Sequence, residues 1–442
     1  MNDSWTWRPL GELFEIGAGK TMSAAARNGV DKTPFLRTSN VFWDQIDLSS
    51  VDEMSIPEHE LPAKLLRRGD LLVCEGGEIG RAAIWNGEVE TMSFQNHLHR
   101  LRPVVEDVEP RFYVYFLQSA FTQLGIFEGA GNKTTIPNLS RNQLSMLHVP
   151  HPPLDEQQAI TSGLAHVRKA IKTHDQSTVL TQDLKRAAMQ TLFTHGLRSE
   201  AQKETEIGPV PESWCIEPVG DHFSLVSGGT PSRRTPMFWT DGTIPWVKTT
   251  EIDYCIIQET EERITQAGLA RSAAKLLPPG TLLLAMYGQG VTRGKVAILG
   301  IEGACNQACA ALNPSDDVVS AKYLYYFLSS RYEAIRRLAH GGQQQNLNLE
   351  IVRTLPVAYP ANKEEQREIV AILEAIDRKI DLHREKRAVL DELFKALLHK
   401  LMTGEVRVSE LDLSPLGPSV PSIFTLQNDH LTFHKATEDD QP

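Results

Sequence analysis

The chain contains few cysteines and no long apolar run. Its 442 residues include the five cysteines Cys74, Cys215, Cys255, Cys305 and Cys309. Five scattered cysteines are too few for a disulfide framework, and no second pair or nearby histidine completes a zinc site around the last two. The sequence has neither a signal-peptide pattern nor an apolar run of about 18 residues, the length of a membrane span. We therefore expect a cytoplasmic protein that has no metal site and does not cross a membrane.

An excess of positive charge is also missing. The sequence has 45 lysines and arginines against 56 aspartates and glutamates, which gives a formal net charge of −11 at pH 7. Proteins that bind nucleic acid with their whole surface are usually basic, so this class is disfavoured. Binding through local basic loops, or beside a partner that supplies positive charge, remains compatible with the composition.

No set of catalytic residues is recognisable in the sequence. The segment GAGKT (17–21) ends like a phosphate-binding loop, but Phe14 stands where that loop needs a glycine five residues before Gly19. The segment DELFK, which begins at Asp391, has carboxylates and a lysine but falls in a helical pattern. We expect no catalytic residue and no bound cofactor in this chain. The GAGKT segment and its later counterpart are predicted to form tight turns that present Lys20, Thr21 or Ser232 to a partner.

The sequence instead contains a long internal repeat. SWTWRPLGELFEI from Ser4 resembles SWCIEPVGDHFSL from Ser213, and LLRRGDLLV resembles LLPPGTLLL. PPLDEQQAI and YPANKEEQREI each place a proline before an acidic, glutamine-bearing start of an apolar run, with Glu156 and Glu365 209 positions apart. So many matches in the same order indicate a tandem duplication.

Each repeat predicts roughly 150 residues of short strands bounded by glycine and proline, followed by one long helix. In the second helix, apolar residues recur at alternating steps of four and three, which is typical of a coiled-coil seam. The expected seam positions of that helix are Ile369, Leu373, Ile376, Ile380, Leu390, Phe394, Leu397 and Leu401. Those of the first helix are Ile160, Leu164, Val167 and Ile171, and then, after a polar break, Leu180, Leu184 and Leu192. We expect the two helices to pair in antiparallel orientation.

Polar loops occur at matched places in the two repeats. They carry the side chain types that recognise base edges, since arginine and lysine suit guanine whereas asparagine and glutamine suit adenine. A repeated scaffold with different loops fits two different targets. In the first repeat the candidate DNA-binding residues are Lys20, Thr21, Arg37, Arg81, Gln95, Asn96, Asn132 and Lys133. In the second repeat they are Ser232, Arg233, Lys248, Arg293, Lys295, Asn306, Gln307, Gln344 and Asn346.

The chain resembles the specificity subunit of type I restriction-modification enzymes. The resemblance lies in IGPVPESW with Trp214, in the SGGTPS turn, in NLNLEIVRTLPV and in the EEQREIVAILEAIDRKID helix, with weaker counterparts in the first repeat. The first repeat departs from this pattern in NDSWTW and GAGKT. The resemblance implies an α+β protein with two tandemly repeated α/β target-recognition domains and two long helices that pair as an antiparallel coiled coil with pseudo-twofold symmetry.

The domain boundaries that follow are expectations. They are a first target-recognition domain at 1–153, a first spacer helix at 154–196, a linker at 197–213, a second target-recognition domain at 214–361, a second spacer helix at 362–406 and a flexible tail at 407–442. A helix of about 40 residues is roughly 60 Å long, enough to hold two domains at sites about one DNA turn apart.

The resemblance also implies function and partners. Each domain would recognise one half of a bipartite, asymmetric sequence in double-stranded DNA, and the helices would dock two methyltransferase subunits. Restriction and translocase subunits would complete the complex, and S-adenosylmethionine, ATP and Mg would be bound by these partner subunits. Two other classes stay open, namely a stand-alone DNA-modifying enzyme and a coiled-coil adaptor that binds only protein. The first lacks a catalytic motif, and the second leaves the polar loops unexplained.

Overall fold

The structure is a computed structural model that describes residues 5–125, 138–288, 291–338 and 346–411. The chain divides into two compact units. Unit 1 comprises Met1–Asp175 and Glu385–Pro442, and unit 2 comprises Gln176–Arg384. Both long helices cross from one of these ranges to the other, so each unit contains a mixed α/β region and one part of each long helix.

The mixed region of unit 1 consists of short strands and short helices. Its strands are β1 (Thr6–Pro9), β2 (Phe14–Ala18), β3 (Lys32–Leu36), β4 (Val41–Phe42), β5 (Gln45–Ile46), β6 (Asp52–Ser55), β7 (Leu71–Cys74), β8 (Ala82–Ile84), β9 (Ser93–Phe94), β10 (Leu98–Pro103) and β11 (His148–His151). Its helices are α1 (Leu10–Leu13), α2 (Ala24–Asn28), α3 (Leu61–Lys64), α4 (Pro110–Thr122) and α5 (Arg141–Met146). The first long helix, α6 (Leu154–His195), follows and continues into unit 2.

Unit 2 has a similar set of elements. Its strands are β12 (Gln202–Lys203), β13 (Val210–Pro211), β14 (Trp214–Pro218), β15 (Phe223–Ser227), β16 (Ile244–Val247), β17 (Ile256–Ile257), β18 (Glu262–Ile264), β19 (Leu282–Ala285), β20 (Val296–Leu299), β21 (Ala304–Cys305), β22 (Cys309–Pro314) and β23 (Pro356–Pro360). Its helices are α7 (Val219–His222), α8 (Gln266–Ala270), α9 (Ala321–Ser330), α10 (Tyr332–Leu338) and α11 (Leu349–Arg353). The second long helix is α12 (Lys363–Met402), which returns to unit 1.

The two units share one sheet topology. Unit 1 contains sheets with the strand orders β2-β10-β7-β8, β6-β3-β9 and β1-β11. Unit 2 contains the orders β15-β22-β19-β20-β17, β18-β16-β21 and β14-β23, which differ from the first set by the added edge strand β17. In each unit the three-stranded sheet has one parallel pair, β3 with β9 and β16 with β21. The expected α+β fold with two repeated domains is therefore confirmed.

The ends of the long helices have local causes. Helix α6 begins after Pro152 and Pro153, with acidic residues in its first turn that complement the positive end of the helix dipole. Helix α12 begins after Asn362, whose Oδ1 accepts a hydrogen bond from the backbone N–H of Glu364 at 2.9 Å. Past their ends, Gly196 and Gly404 have φ of +64° and +70°, a conformation that glycine adopts without steric cost.

Within each unit, the two long helices contribute to one core. In unit 1, Ile160, Leu164 and Val167 of α6 are buried in the same cluster as Leu390, Phe394, Leu397 and Leu401 of α12. Asp175 of α6 also pairs with Arg387 of α12 at 3.3 Å. In unit 2, Leu192 and Phe193 of α6 are buried with Ile369 and Leu373 of α12, and Lys185 pairs with Asp377 at 2.6 Å. The first part of one helix thus packs beside the last part of the other in each unit.

The expected seam is wrong in the middle of α6. Leu180 and Leu184 are 69% and 57% exposed, whereas the seam phase set by Ile160, Leu164 and Val167 continues through Thr181 and Lys185. Lys185 is mostly buried because it pairs with Asp377 and lies 5.2 Å from the ring centroid of Tyr326. The sequence prediction assigned the leucines to the packed face. The helix instead continues with the same periodicity, which places polar side chains on that face.

The segment between the repeats is more ordered than a polar linker. Strands β12 and β13 pair in antiparallel orientation, and Val210 is fully buried. Arg331 donates a hydrogen bond to the Ile207 carbonyl at 2.6 Å. At the other end of the chain, Val408 and Leu411 pack against the core of unit 1, and residues 412–442 of the expected tail lie outside the described residues. None of the helices in the described ranges has the length and apolar character to span a membrane.

Candidate nucleic-acid interface

The two glycine turns that the sequence pointed to occupy equivalent positions. A Cβ on Gly19 would lie 2.3 Å from the carbonyl oxygens of both Phe94 and Gln95. A Cβ on Gly228 would lie 2.1 Å from the carbonyl oxygen of Cys305 and 2.3 Å from that of Asn306. Each turn therefore approaches the short strand β9 or β21 so closely that only glycine fits. The GAGKT and SGGTPS segments therefore each use a glycine to pack closely against a neighbouring strand.

In unit 1 this close approach brings three candidate segments together. Lys20 forms an isolated parallel bridge with Gln95, and the N–H of Asn96 donates to the Lys20 carbonyl at 3.1 Å. The N–H of Gln95 donates to the carbonyl of Leu36, the residue before Arg37, at 2.9 Å. Lys20, Arg37, Gln95 and Asn96 therefore lie together at the carboxyl ends of the parallel strands β3 and β9.

In unit 2 the same arrangement recurs with different side chains. The N–H of Gly229 donates to the Cys305 carbonyl at 2.9 Å, and the N–H of Asn306 donates to the Val247 carbonyl at 3.0 Å. Lys248, which follows Val247, therefore lies beside Asn306. The hydroxyl of Thr230 donates a hydrogen bond to the side-chain carbonyl of Gln307. Lys248, Asn306 and Gln307 are thus joined to the Gly228 turn at the ends of β16 and β21.

The cationic side chains at these places are paired with carboxylates of the same unit. In unit 1, Lys20 Nζ lies 2.8 Å from Glu60, and Arg37 pairs with Asp52 at 2.9 Å. The hydrogen bond from Lys20 is the largest cause of the lowered pKa of Glu60. The Arg37–Asp52 pair is exposed on both sides, so a phosphate can compete with the carboxylate for the guanidinium.

The pairing in unit 2 has an additional cation. Lys248 pairs with Glu261 and lies 3.5 Å from Glu262, and Arg233 also pairs with Glu262. The hydrogen bond from Arg233 is the largest cause of the lowered pKa of Glu262, and the hydrogen bond to Glu261 raises the pKa of Lys248. Glu262 therefore remains ionised between two cations.

Two further predicted cations lie at the bases of other loops. Arg81 follows Gly80 before β8, and Lys295 follows Gly294 before β20, where both glycines have positive φ. The Arg81 guanidinium lies 5.2 Å from the Phe42 ring centroid, whereas Lys295 pairs with Asp253 at 2.6 Å. These contacts direct Arg81 and Lys295 toward the segments after the 3₁₀ turns at Thr38–Asn40 and Thr249–Glu251 rather than toward the glycine turns.

The remaining predicted residues are less informative. Thr21, Ser232 and Asn346 are exposed, and Arg293 is half-buried in the loop between β19 and β20. Asn132, Lys133 and Gln344 lie outside the described residues.

Several residues at the interface were not predicted from the sequence. Thr230 lies within the SGGTPS segment, and its hydrogen bond positions Gln307. The SGGTPS motif could therefore have identified Thr230 from the sequence. Glu262 was missed because its side chain is negatively charged, and the search for DNA-binding residues selected cationic, amide and hydroxyl side chains. Lys275 is exposed next to Ala274, whose backbone N would lie 2.2 Å from a Cβ on Gly229, and it has no ion-pair partner among the described residues.

The described residues show no group of three or more histidine, cysteine, aspartate or glutamate side chains arranged to hold a metal. Cys305 and Cys309 are both buried, and a hydrogen bond with Cys305 is the largest cause of the raised pKa of Cys309.

Comparison with known proteins adds sequence evidence. The profile of the family described as Type I restriction modification DNA specificity domain matches residues 2–182 and again residues 211–392. The chain is 24% identical over 416 residues to the type I restriction enzyme MjaX specificity subunit of Methanocaldococcus jannaschii, which covers 92% of this chain and 94% of that protein. It is 25% identical over 277 residues to the type I restriction enzyme EcoR124I/EcoR124II specificity subunit of Escherichia coli, which covers 60% of this chain and 63% of that protein.

A solved structure shows the same fold. The crystal structure of a type I restriction-modification system S subunit from M. genitalium is similar with a TM-score of 0.56 at 16% identity, and the match covers 91% of this chain and 97% of that chain.

Proposed function

This chain belongs to the family of type I restriction modification DNA specificity domains, and on that premise we propose that unit 1 and unit 2 each recognise one half of a bipartite, asymmetric DNA sequence. The chain is a type I specificity subunit, a DNA-recognition protein rather than an enzyme. This assignment is favoured over a stand-alone DNA-modifying enzyme and over an adaptor that binds only protein.

The observation that carries the proposal is the repeated turn at Gly19 and Gly228. In both units it packs on the carboxyl ends of one parallel strand pair, so the close approach of the two backbone segments at the candidate interface is shared. The side chains there differ, with Lys20, Arg37, Gln95 and Asn96 in unit 1 and Lys248, Asn306 and Gln307 in unit 2. A shared turn that carries different hydrogen-bond donors and acceptors in the two units suits two different base sequences. These residues, with Arg233, form the core of the proposed DNA-binding surface.

The long helices are the proposed docking elements for methyltransferase subunits. Both helices expose large apolar side chains in their described parts, namely Val179, Leu180 and Leu184 on α6 and Leu382, Val389 and Leu393 on α12. Exposed apolar side chains gathered on an element support a protein-protein contact. Two methyltransferase subunits, one for each repeat, match the duplicated sequence.

The proposed complex assigns the chemistry to other subunits. Methyltransferase subunits would bind S-adenosylmethionine, and restriction and translocase subunits would bind ATP and Mg. The specificity chain would supply double-stranded DNA recognition and the scaffold for assembly.

Reconstitution tests this assignment. The purified chain is mixed with its methyltransferase subunits, and DNA binding is followed by band shifts on specific and scrambled duplexes, together with transfer of labelled methyl groups. We expect specific binding and methyl transfer by the complex, and no methyl transfer by the chain alone. Methyl transfer by the partner-free chain, or equal binding of all sequences by the complex, would contradict the proposal.

A docking variant separates assembly from DNA recognition. Leu180→Asp and Leu184→Asp together place charge on exposed positions, so folding should be retained while methyltransferase binding is weakened. Size-exclusion chromatography measures the complex, and the matched control is Glu385→Asp, which changes an exposed acidic residue of α12 without changing its charge. Unchanged assembly of the double variant would exclude this part of α6 as a docking surface.

A further inference from the structure

Arg233 in unit 2 is held more firmly than an exposed interface side chain needs to be. Its side chain is 51% exposed, and its guanidinium carbon lies 3.7 Å from the ring centroid of Trp239 and 5.0 Å from that of Trp246. The two indole rings are 5.1 Å apart and nearly perpendicular. An arginine stacked on aromatic faces keeps its donors in a defined plane, and it gains cation–π attraction there.

The two tryptophans also fix the backbone that carries Arg233. Trp246 Nε1–H donates to the Gly229 carbonyl at 2.9 Å, and Trp239 Nε1–H donates to the Ser232 carbonyl at 3.2 Å. Trp246 is 2% exposed and lies in β16, so this brace is anchored in the sheet. The turn is therefore fixed shortly before Arg233 and at the residue adjacent to it.

Glu262 completes the support from the neighbouring strand. It lies in β18, directly opposite Trp246 in the antiparallel β16–β18 pair, and it pairs with both Arg233 and Lys248. A guanidinium has five N–H donors, so pairing with one carboxylate leaves donors available on its exposed side. The carboxylate also repels an approaching phosphate, and it repels the neutral acceptors O6 and N7 of guanine much less.

We propose that Arg233 recognises a guanine in the half-site of unit 2, and that Glu262 with Trp239 and Trp246 positions it for a base and against phosphate. This inference rests on the proposed function, because it specifies one contact of the proposed DNA-binding surface. Arg233 is the specificity-determining residue, and the other three are positioning residues.

Unit 1 contains one part of this arrangement. Asp52 lies in β6 opposite Phe35 of β3, as Glu262 lies opposite Trp246, and it pairs with Arg37 as Glu262 contacts Lys248. Within the described part of unit 1, no second cation is paired with Asp52 and no tryptophan pair supports one. The proposal therefore applies to one half-site, which makes the other half-site an internal control.

The first experiment measures base preference. The complex with its methyltransferase subunits binds duplexes from a library randomised in both half-sites, and bound sequences are determined for wild type, Arg233→Ala and Arg233→Lys. We expect Arg233→Ala to lose preference for guanine at one position of one half-site, with a discrimination change of about 10- to 100-fold. Arg233→Lys should lose part of this preference, because an ammonium keeps the charge but lacks the planar fork that stacks on the indole rings. The other half-site should be unchanged. Lys275→Ala is the matched control, and we expect it to weaken all sequences alike.

The second experiment tests the positioning role of Glu262. Glu262→Gln leaves a side chain of similar shape without charge, and binding to specific and scrambled duplexes is measured from low to moderate salt. We expect affinity for scrambled DNA to increase and its salt dependence to steepen by about one phosphate contact, so that the ratio of specific to non-specific affinity falls. A merely structural role would weaken binding to both duplexes and leave their ratio intact.

The outcomes distinguish this inference from the proposed function. If wild type selects a bipartite sequence but Arg233→Ala selects the same one, the inference is wrong and the proposed function stands. Equal loss on all sequences for Arg233→Ala, with binding restored by Arg233→Lys, would make Arg233 a phosphate contact and would also overturn the inference. If the wild-type complex selects no sequence, the proposed function itself fails. Circular dichroism of each variant confirms folding, and Arg233→Lys, which keeps the charge, decides the question if the alanine variant is unstable.

Discussion

The turns at Gly19 in unit 1 and Gly228 in unit 2 pack alike but present different chemistry. Both lack room for a Cβ because backbone carbonyls of the facing strand lie within 2.3 Å of where it would be. At the next position unit 1 has Lys20, which pairs with Glu60, whereas unit 2 has Gly229. Both units then have a threonine, and the one in unit 2, Thr230, donates a hydrogen bond to Gln307. Packing thus constrains the backbone at these turns, whereas the exposed side chains of the proposed recognition surface can differ between the two units.

Lys64 in unit 1 and Lys275 in unit 2 occupy equivalent sequence positions but make different contacts. Lys64 in unit 1 donates to the carbonyls of Ala18 and Gly19 at 2.6 and 3.2 Å, and burial is the largest cause of its lowered pKa. Lys275, the corresponding residue in unit 2, is exposed. The lysine of unit 1 therefore supports the turn from behind, whereas that of unit 2 is available to a ligand. Sequence similarity at such a position does not imply the same role.

The largest expected effect sharpens the comparison within helix α6. Leu164→Ala, in the part of α6 that belongs to unit 1, removes a fully buried side chain and should lower the free energy of unfolding by about 2–5 kcal/mol. Leu184→Ala, in the part that belongs to unit 2, should change it by less than about 0.5 kcal/mol because that side chain is exposed. Urea unfolding of the two variants provides the measurement. Comparable losses would mean that the packed face of α6 follows the leucines after all.

The next effect tests whether the two glycine turns are equivalent. Gly19→Ala and Gly228→Ala each force a Cβ against backbone carbonyls, and each should cost about 1–3 kcal/mol of stability. Each should also weaken recognition of one half-site in the assembled complex. Gly76→Ala is the control, because open space surrounds the position of its Cβ. If only one of the two substitutions reduced stability and recognition, the two turns would not be functionally equivalent.

The smallest effect concerns a pH dependence that unit 2 has at a place where unit 1 has Leu13. His222 is 6% exposed and contacts Asp316 through Nδ1 at 2.9 Å and Glu217 through Nε2 at 2.7 Å. Burial alone lowers the pKa of His222, but the hydrogen bonds to Asp316 and Glu217 outweigh it, so the net pKa is raised above 6.5. The charged ring stabilises unit 2 fully below about pH 6.5, and this contribution is lost as the pH rises through the raised folded pKa.

The variant His222→Leu copies unit 1 and tests this difference. Urea midpoints of the wild type should fall as the pH rises above 6.5, and the variant should lose this part of the dependence. Lys275→Ala provides a control, since it alters an exposed charge in the same unit and should retain the wild-type profile. A variant with the same decline as wild type would exclude His222 as its source.

The regular features of the fold could be predicted because they depend on local patterns. The periodicity of apolar residues, with a proline and acidic residues before each run, predicted both long helices, and the repeat predicted two similar domains. The phase of α6 near Leu180 could not be predicted, because its polar packed face depends on Asp377, a residue nearly 200 positions away that pairs with Lys185. Tertiary contacts decided there against local hydrophobicity.

The candidate site was predictable in composition but not in geometry. Glycine turns and polar loops indicated Lys20, Gln95, Asn306 and Gln307, which the structure brings together in their units. Charge reasoning could not find Glu262, because the value of a carboxylate at a DNA-binding surface depends on the cations it contacts. It also could not separate Lys295, which pairs with Asp253, from Lys248 at the turn.

One measurement tests most directly whether the two units are independent readers on a common scaffold. The region from about Trp5 to Leu147 is replaced by that of a relative with a different target, and the sequence methylated by the assembled complex is determined by methylation-sensitive sequencing. The account predicts that one half-site changes completely while the other half-site stays the same. A change in both half-sites, or in neither, would contradict it.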